Sequence, residues 1–279
     1  MEKEKKKETE GNVVNSTKQP NTLTSLKREF EALGVKPGAI IIAHSSLSKI
    51  GWTVGGPVSV IRALMQILTP EGTLVMPTFS SDNSEPSKWE NPPVPESWWD
   101  TIRTEMPAFE PKITPTRGMG TIVDTFRNWP NVLRSNHPMA SFAAWGKHAK
   151  SITENHELTA DLGEGSPISR LYELNGQILL IGVTHENNSS IHLAEYRSDF
   201  PGKKYNNTGC AMLVNNQREW VEWEELDVDP DDFEELGKDF ETGINYKPGK
   251  IGLAESRLIP LRAIVDFGVE WLKKNRKVP

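Results

Sequence analysis

The sequence predicts an α/β fold in which helices cover both faces of a largely parallel sheet. Three observations predict it. Short, continuous apolar runs occur at residues 39–44, 73–77 and 177–183, as in strands buried on both faces. A helical stripe of Val58, Ile61, Leu64, Met65 and Leu68 lies between the first two runs. Strand, loop, helix and strand then follow one another within about 40 residues, the span of a βαβ unit.

Residues 1–20 are charged and polar without an apolar periodicity, and they are expected as a flexible tail before a single domain over 21–279. Leu23, Leu26, Phe30 and Leu33 form a helical stripe, with Asn21 or Thr22 as its cap and Gly34 as its stop. Pro37 and Gly38 turn the chain into the first strand, and Pro70 and Gly72 into the second. A short helix at 168–174, a turn at Asn175-Gly176 and the third strand repeat the pattern, and a further helix is expected from Ser190.

Two stretches break it. Residues 80–116 are rich in proline, hold Trp89, Trp98 and Trp99, and lack periodicity. So long an irregular stretch is either a functional loop or an aromatic plug over a sheet edge. Between Glu219 and Glu241 lie twelve Asp or Glu residues and one basic residue, Lys238. The segment 219–245 reads as a second loop insertion, either a solvated acidic surface or a negative funnel for a cationic ligand.

Composition narrows the class. The chain has 279 residues, 36% of them apolar and 25% charged, as in a globular protein with one substantial core. No apolar run approaches the ~20 residues of a membrane span. The charged start lacks the apolar core of a secretory signal, so a cytoplasmic protein is expected. The single cysteine, Cys210, leaves no intramolecular disulfide or cysteine-cluster metal site, and a lone cysteine reads as a small buried hydrophobe. A net charge of −6 argues against a nucleic-acid partner.

Ligands of open α/β sheets bind beyond the carboxyl ends of strands, and three strand ends here carry polar residues. The first leads into His44, Ser45, Ser46, Leu47, Ser48, Ile50 and Gly51, where hydroxyls and glycines ahead of a helix suit an anion such as a pyrophosphate. The glycine pattern of neither a P-loop nor a dinucleotide fold is present. The second strand end reaches Asp82. The third runs through His185 and Glu186 to His192 and Glu195, which share a helical face at a spacing of three. A histidine beside carboxylates suits a general base, with Glu186 or Glu195 orienting the ring; a helix-capping or internally satisfied histidine fits the spacing equally. There is no His-Glu-x-x-His for zinc and no Gly-x-Ser-x-Gly for serine hydrolysis. Arg117 and Arg134, in loops rich in Ser, His and Gly, suit either phosphate contacts or structural ion pairs.

Taken in order, these segments resemble a known family, the antibiotic N-acetyltransferases that modify the 3-amine of aminoglycosides. The matching pieces are His-Ser-Ser-Leu-Ser from His44, Gly-Thr-Leu-Val-Met-Pro-Thr-Phe-Ser ending at Ser80, and Thr-Arg-Gly-Met-Gly from Thr116. Arg-Ser-Asn-His-Pro from Arg134, Ser-Phe-Ala-Ala-Trp-Gly from Ser141 and residues 179–195 complete the set. The insertion Pro-Pro-Val-Pro-Glu-Ser-Trp-Trp at 92–99 is similar to Bacillus-type members. Glu186 departs from the Asp that members often carry there.

The resemblance implies a three-layer αβα sandwich, acetyl-CoA as donor and no metal. It implies His192 as general base for direct transfer in a ternary complex, with Glu186 or Glu195 fixing the ring. For CoA it implies the loop from His44 to Gly51 together with Arg117, Met119, Gly120, Ser135, His137, Ser141 and Phe142. A polycationic small-molecule substrate would then meet Asp82, Glu96 and Asp100, with Trp98 and Trp99 stacking on sugar rings. A homodimer is the expected assembly.

Overall fold

The computed structural model describes residues 9–277. Its centre is a seven-stranded sheet. The chain supplies β1 (Ile40–Ser45), β2 (Thr73–Pro77), β3 (Leu133–Arg134), β4 (Phe142–Gly146) and β5 (Gln177–Ile181). A separate hairpin, β6 (Tyr205–Val214) and β7 (Gln217–Leu226), precedes β8 (Gly249–Ile251) and β9 (Ala254–Pro260). The order across the sheet is β3-β4-β2-β1-β5-β9-β8. Only the centre is parallel, β1 pairing with β2 and β5; β4, β3, β9 and β8 add antiparallel. The expected mostly parallel sheet is therefore a mixed one. Short apolar runs are compatible with either direction once both faces are covered, so run length alone does not report it.

Alternation along the central strands sorts side chains to the two faces. Ile42, Val75, Ile178 and Leu180 belong to one core, and Ile41, Ala43, Leu74, Met76, Leu179 and Ile181 to the other. The second core is closed by the helices Leu23–Leu33, Pro57–Leu68 and Gly120–Arg127. The first is closed by Pro167–Glu173, His192–Arg197, Phe233–Gly243 and Leu261–Asn275. Helices, sheet and helices make the three-layer αβα sandwich. Each fully buried Leu, Ile or Phe contributes about 1.5–3 kcal/mol, so both layers are held by many small terms.

Local chemistry sets the boundaries. Thr22, rather than Asn21, caps the first long helix in a reciprocal box with Ser25 (3.1 and 2.9 Å). Asn21 instead donates to the carbonyl of Ile50 at 2.9 Å. The expected tail differs in its second half: Glu10–Ser16 is helical, and the Thr17 hydroxyl accepts from the amide of Trp52 at 2.8 Å. Residues 1–8 lie outside the described residues.

The acidic stretch is not a loop, since β7 and the helix Phe233–Gly243 occupy most of it. Asn215 and Asn216 turn the β6–β7 hairpin, both with positive φ (50° and 62°), the type I′ geometry that matches strand twist. Residues 80–116 are mainly irregular as expected, with 3₁₀ turns and one helix, Trp99–Glu105. The amide of Phe109 donates to the carbonyl of Ala211, tying this segment to the hairpin.

Gly146 ends β4 at φ 106°, where an added Cβ would stand 2.1 Å from the carbonyl oxygen of Gly72. Gly146→Ala is expected to lower stability by about 2–3 kcal/mol, measured by denaturant unfolding; a loss below 0.5 kcal/mol would show that the strand ends there are free to part.

Candidate active site

The carboxyl ends of β1, β2 and β5 open into a cleft of about 230 Å³. His44 and Ser45 come from β1, Pro77 and Phe79 from the end of β2, and Gly118 and Met119 from the loop ahead of helix Gly120–Arg127. Glu186, Ser189 and His192 come from the segment after β5, and Pro230 closes the cleft from beyond β7.

After β5 the chain makes two 3₁₀ turns, His185–Asn187 and Ser189–Ile191, before the helix that begins at His192. The Asn188 side chain accepts from the amide of Ser190 at 3.2 Å, which tightens the second turn. That fixes His192 on the first helical residue with its ring 4.8 Å from Phe233, leaving one edge on the cleft. Its Nδ1 lies 2.5 Å from Oε2 of Glu195, a carboxylate with no solvent exposure. The other oxygen, Oε1, accepts from the amide of Asp229 (3.0 Å) and from Nη1 of Arg276 (2.5 Å). A buried, ionised partner at Nδ1 makes that nitrogen the donor and leaves the Nε2 lone pair available. A carboxylate so placed can orient the imidazole.

His44 stands in the same cleft. Burial, aided by the nearby His192, pushes its proton affinity down to about 3, so it is a neutral imidazole at any working pH. Among the described residues its Nε2 has no hydrogen-bond partner, and neither do the buried hydroxyls of Ser45 and Ser190. Two of these unspent groups, on His44 and Ser45, therefore stand where apolar walls leave room for a ligand.

His185, adjacent to Glu186 in sequence, turns away from the cleft. Its Nε2 meets Oε1 of Glu241 at 3.0 Å, and the same oxygen takes Nε of Arg257 at 2.5 Å. Glu186 is exposed on the cleft wall.

Leu47, Ser48 and Gly51 line a second hollow beside Trp52, and Ile50 is fully buried. Met119 lines the cleft, and Gly120 starts the neighbouring helix. Ser135, His137, Ser141 and Phe142 are buried and lie off the cleft wall. Their polar atoms are used internally. Ser135 Oγ accepts from the amide of Phe142 (2.9 Å), His137 Nδ1 from that of Ala140 (2.9 Å), and Ser141 Oγ donates to the carbonyl of Thr78 (2.8 Å).

Arg134 is structural. It reaches the carbonyls of Thr78 (2.7 Å) and Thr114 (2.6 Å) and the hydroxyls of Ser80 (2.7 Å) and Ser141 (2.9 Å), pinning the 80–116 segment to the end of β2. Arg117 pairs with Asp82, so each of these two charges already has a partner. Asp100 pairs with Arg103 at 3.1 Å, Arg103 also holds Glu85 at 2.6 Å, and Glu96 and Trp98 are exposed on the same segment beside Trp99. None of these five substrate-side candidates lines the cleft.

The acidic stretch divides by partner. Asp232 is bound by Arg276, Glu234 by Lys238, and Glu241 by His185 and Arg257, while Glu219, Glu222 and Glu224 face solvent on β7. Burial and the charge of Asp161 push the Glu225 carboxyl up to about 7. Arg276, Asp229, Pro230 and Phe233, all brought to the His192 pair or its cleft, are the site residues that sequence reasoning missed. Nothing local marks them, because the contacts join segments more than thirty residues apart.

The buried imidazoles give a pH signature. A histidine whose folded affinity lies below its unfolded value contributes stability above the unfolded value of about 6.5 and loses it as pH falls toward the folded value. For His44 that window runs from about pH 6.5 down to 3. His137 and His156, also pushed down by burial, add to the wild-type slope. In denaturant titrations from pH 7 to 4, His44→Gln is expected to flatten the loss of stability by up to about 1.4 kcal/mol per pH unit. An unchanged slope would show that His44 takes up its proton as easily folded as unfolded.

Known proteins resemble this chain along most of its length. Residues 42–273 match the family model described as aminoglycoside 3-N-acetyltransferase. The chain is 47% identical over 264 residues to the SPbeta prophage-derived aminoglycoside N(3')-acetyltransferase-like protein YokD of Bacillus subtilis (strain 168), covering 94% of this chain and 96% of the relative. The solved structure of AAC-IIIb in binary complex with CoASH superposes with a TM-score of 0.83 at 31% identity, covering 94% of this chain and 99% of that one. AAC-VIa bound to sisomicin gives 0.83 at 30% identity, covering 93% and 100%. The chain belongs to the aminoglycoside 3-N-acetyltransferase family.

Proposed function

We propose that this protein transfers the acetyl group of acetyl-CoA to the 3-amine of an aminoglycoside, with His192 as general base. The observation that carries the reading is the His192–Glu195 pair at 2.5 Å, its Nδ1 committed to a buried carboxylate and its ring edge on the cleft. The family match and the CoASH and sisomicin complexes of its relatives support the choice of donor and acceptor.

An ammonium group has no lone pair, so the amine must surrender a proton to attack. That proton leaves to solvent, and Nε2 of His192 takes a second one from the neutral amine as its nitrogen bonds to the thioester carbonyl carbon. Glu195 stabilises the resulting imidazolium and keeps the ring from turning. Collapse of the tetrahedral adduct breaks the C–S bond, and the imidazolium returns its proton to the departing thiolate. Such a base contributes about 10²–10⁴-fold. Donors on the cleft wall, among them the unspent Ser45 hydroxyl and the neutral His44 ring, stand ready for the developing oxyanion. His44 cannot compete for the proton, because its affinity lies near 3.

The loop from Ser45 to Gly51, with Met119 and Gly120, is the proposed path for CoA; Arg117 at its edge offers a cation to phosphate. Phe142 braces Phe79 on the cleft wall, and Ser135, His137 and Ser141 are spent on internal hydrogen bonds. Asp82, Glu96, Trp98, Trp99 and Asp100 form an outer approach for the cationic acceptor.

Thiol release from acetyl-CoA across a panel of aminoglycosides tests the reading. His192→Ala is expected to lower kcat by about 10²–10⁴-fold while CoA affinity stays within a few-fold. Wild-type turnover in that variant, or thiol release without an amine, would overturn the mechanism.

A further inference from the structure

We propose that Arg276 is the positioning residue for the His192–Glu195 pair, holding the carboxylate in place and setting how readily the pair takes up a proton. The proposal rests on the reading of His192 as base and adds a residue that the family match, ending at 273, does not reach.

Arg276 follows the last helix, Leu261–Asn275, and its side chain is only 11% exposed. Its guanidinium is fully committed. Nη1 meets Glu195 Oε1 at 2.5 Å, Nε and Nη2 grip both oxygens of Asp232 at 2.7 and 2.8 Å, and Nη2 reaches the carbonyl of Asp229 at 2.5 Å. One face lies 4.7 Å from the Phe200 ring centroid. A fork held this way cannot swing, so the carboxylate oxygen bound to it cannot either. The same grip fixes residues 229–232 and with them Pro230 on the cleft wall.

Charge gives Arg276 its second role. A buried carboxylate beside an imidazole draws a proton to the pair, and a cation on its far oxygen weakens that draw. The charged and titratable groups facing the pair are few. His44 comes from β1, Glu186 from the segment after β5, Asp229 and Asp232 from the linker after β7, and Lys203 feels the field of Glu195 from beyond its helix. Among the described residues, the cation in direct contact with Glu195 is Arg276. Whether the extra proton rests on imidazole or carboxylate, the pair holding it cannot act as base. Loss of the Arg276 charge therefore moves inactivation to higher pH.

The test compares wild type, R276Q, R276K, E195Q and E195Q/R276Q. The His192 ring is titrated by NMR, assigned with H192Q, and kcat/KM is followed against pH with acetyl-CoA and sisomicin. R276Q is expected to raise the His192 midpoint and the acid limb of kcat/KM by about one pH unit or more. R276K keeps the charge but not the fork, so its midpoint stays within a few tenths while kcat falls several-fold at unchanged KM. On the E195Q background, R276Q adds no further shift. An unmoved midpoint in R276Q, a midpoint in R276K displaced upward by a unit, or additive shifts in the double variant would overturn the role of Arg276. If R276Q does not fold, R276K and the double variant still decide. The base reading fails separately, by turnover in H192A, whatever the midpoints do.

Discussion

A carboxylate with no exposure to water, that of Glu195, is the constraint on which the rest of the site depends. Removing such a group from water costs several kcal/mol, and removing one partner from a buried pair is strongly destabilising. The charge is therefore tolerable only where partners are supplied on every side. They are His192 on the same helix and two groups from distant parts of the chain, the amide of Asp229 after β7 and Arg276 beyond the last helix. Assembly of the site and completion of the fold are thus one event, since the far C-terminal helix must dock before Glu195 is neutralised.

The sheet explains where that event takes place. Its parallel centre aims the ends of β2, β1 and β5 at one edge, and the polar residues following each strand meet there. The antiparallel wings contribute walls more than chemistry: residues leading into β4 brace the floor under Phe79, which packs edge-on against Phe142 at 5.5 Å. Within this shell two histidines take opposite parts. His192 is given a buried anion and an open edge, whereas His44 is given burial without an anion and stays neutral. Neighbouring imidazoles with such different surroundings can carry a proton and offer a hydrogen bond without interfering with each other.

Much of the frame was legible in the sequence. The runs at 39–44, 73–77 and 177–183 are strands in the structure, and the stripe at 23–33 is a helix with the box Thr22 and Ser25 supply. The spacing of His192 and Glu195 left two readings open, and the side-chain geometry gives the pair a form that a helix cap would not have. Strand direction, the β6–β7 hairpin and the helix inside the acidic stretch were not read, although Asn215-Asn216 is a turn signal that the run of acidic residues obscured. Charge density drew attention from the alternation beneath it. The burial of Ser135, His137, Ser141 and Phe142 was hidden because loop-like composition does not report what packs over a loop. Arg276 was hidden because nothing in one dimension links residue 276 to residue 195.

The state of the His192 ring tests the central claim most directly. Nitrogen NMR on protein labelled at histidine, assigned by loss of the signal in H192Q, reads which ring nitrogen carries the proton. The geometry requires a neutral ring protonated at Nδ1, with that proton far downfield in its short bond to Glu195 and with Nε2 bare. A neutral ring protonated at Nε2 would leave no lone pair facing the amine and would contradict the assignment of His192 as base.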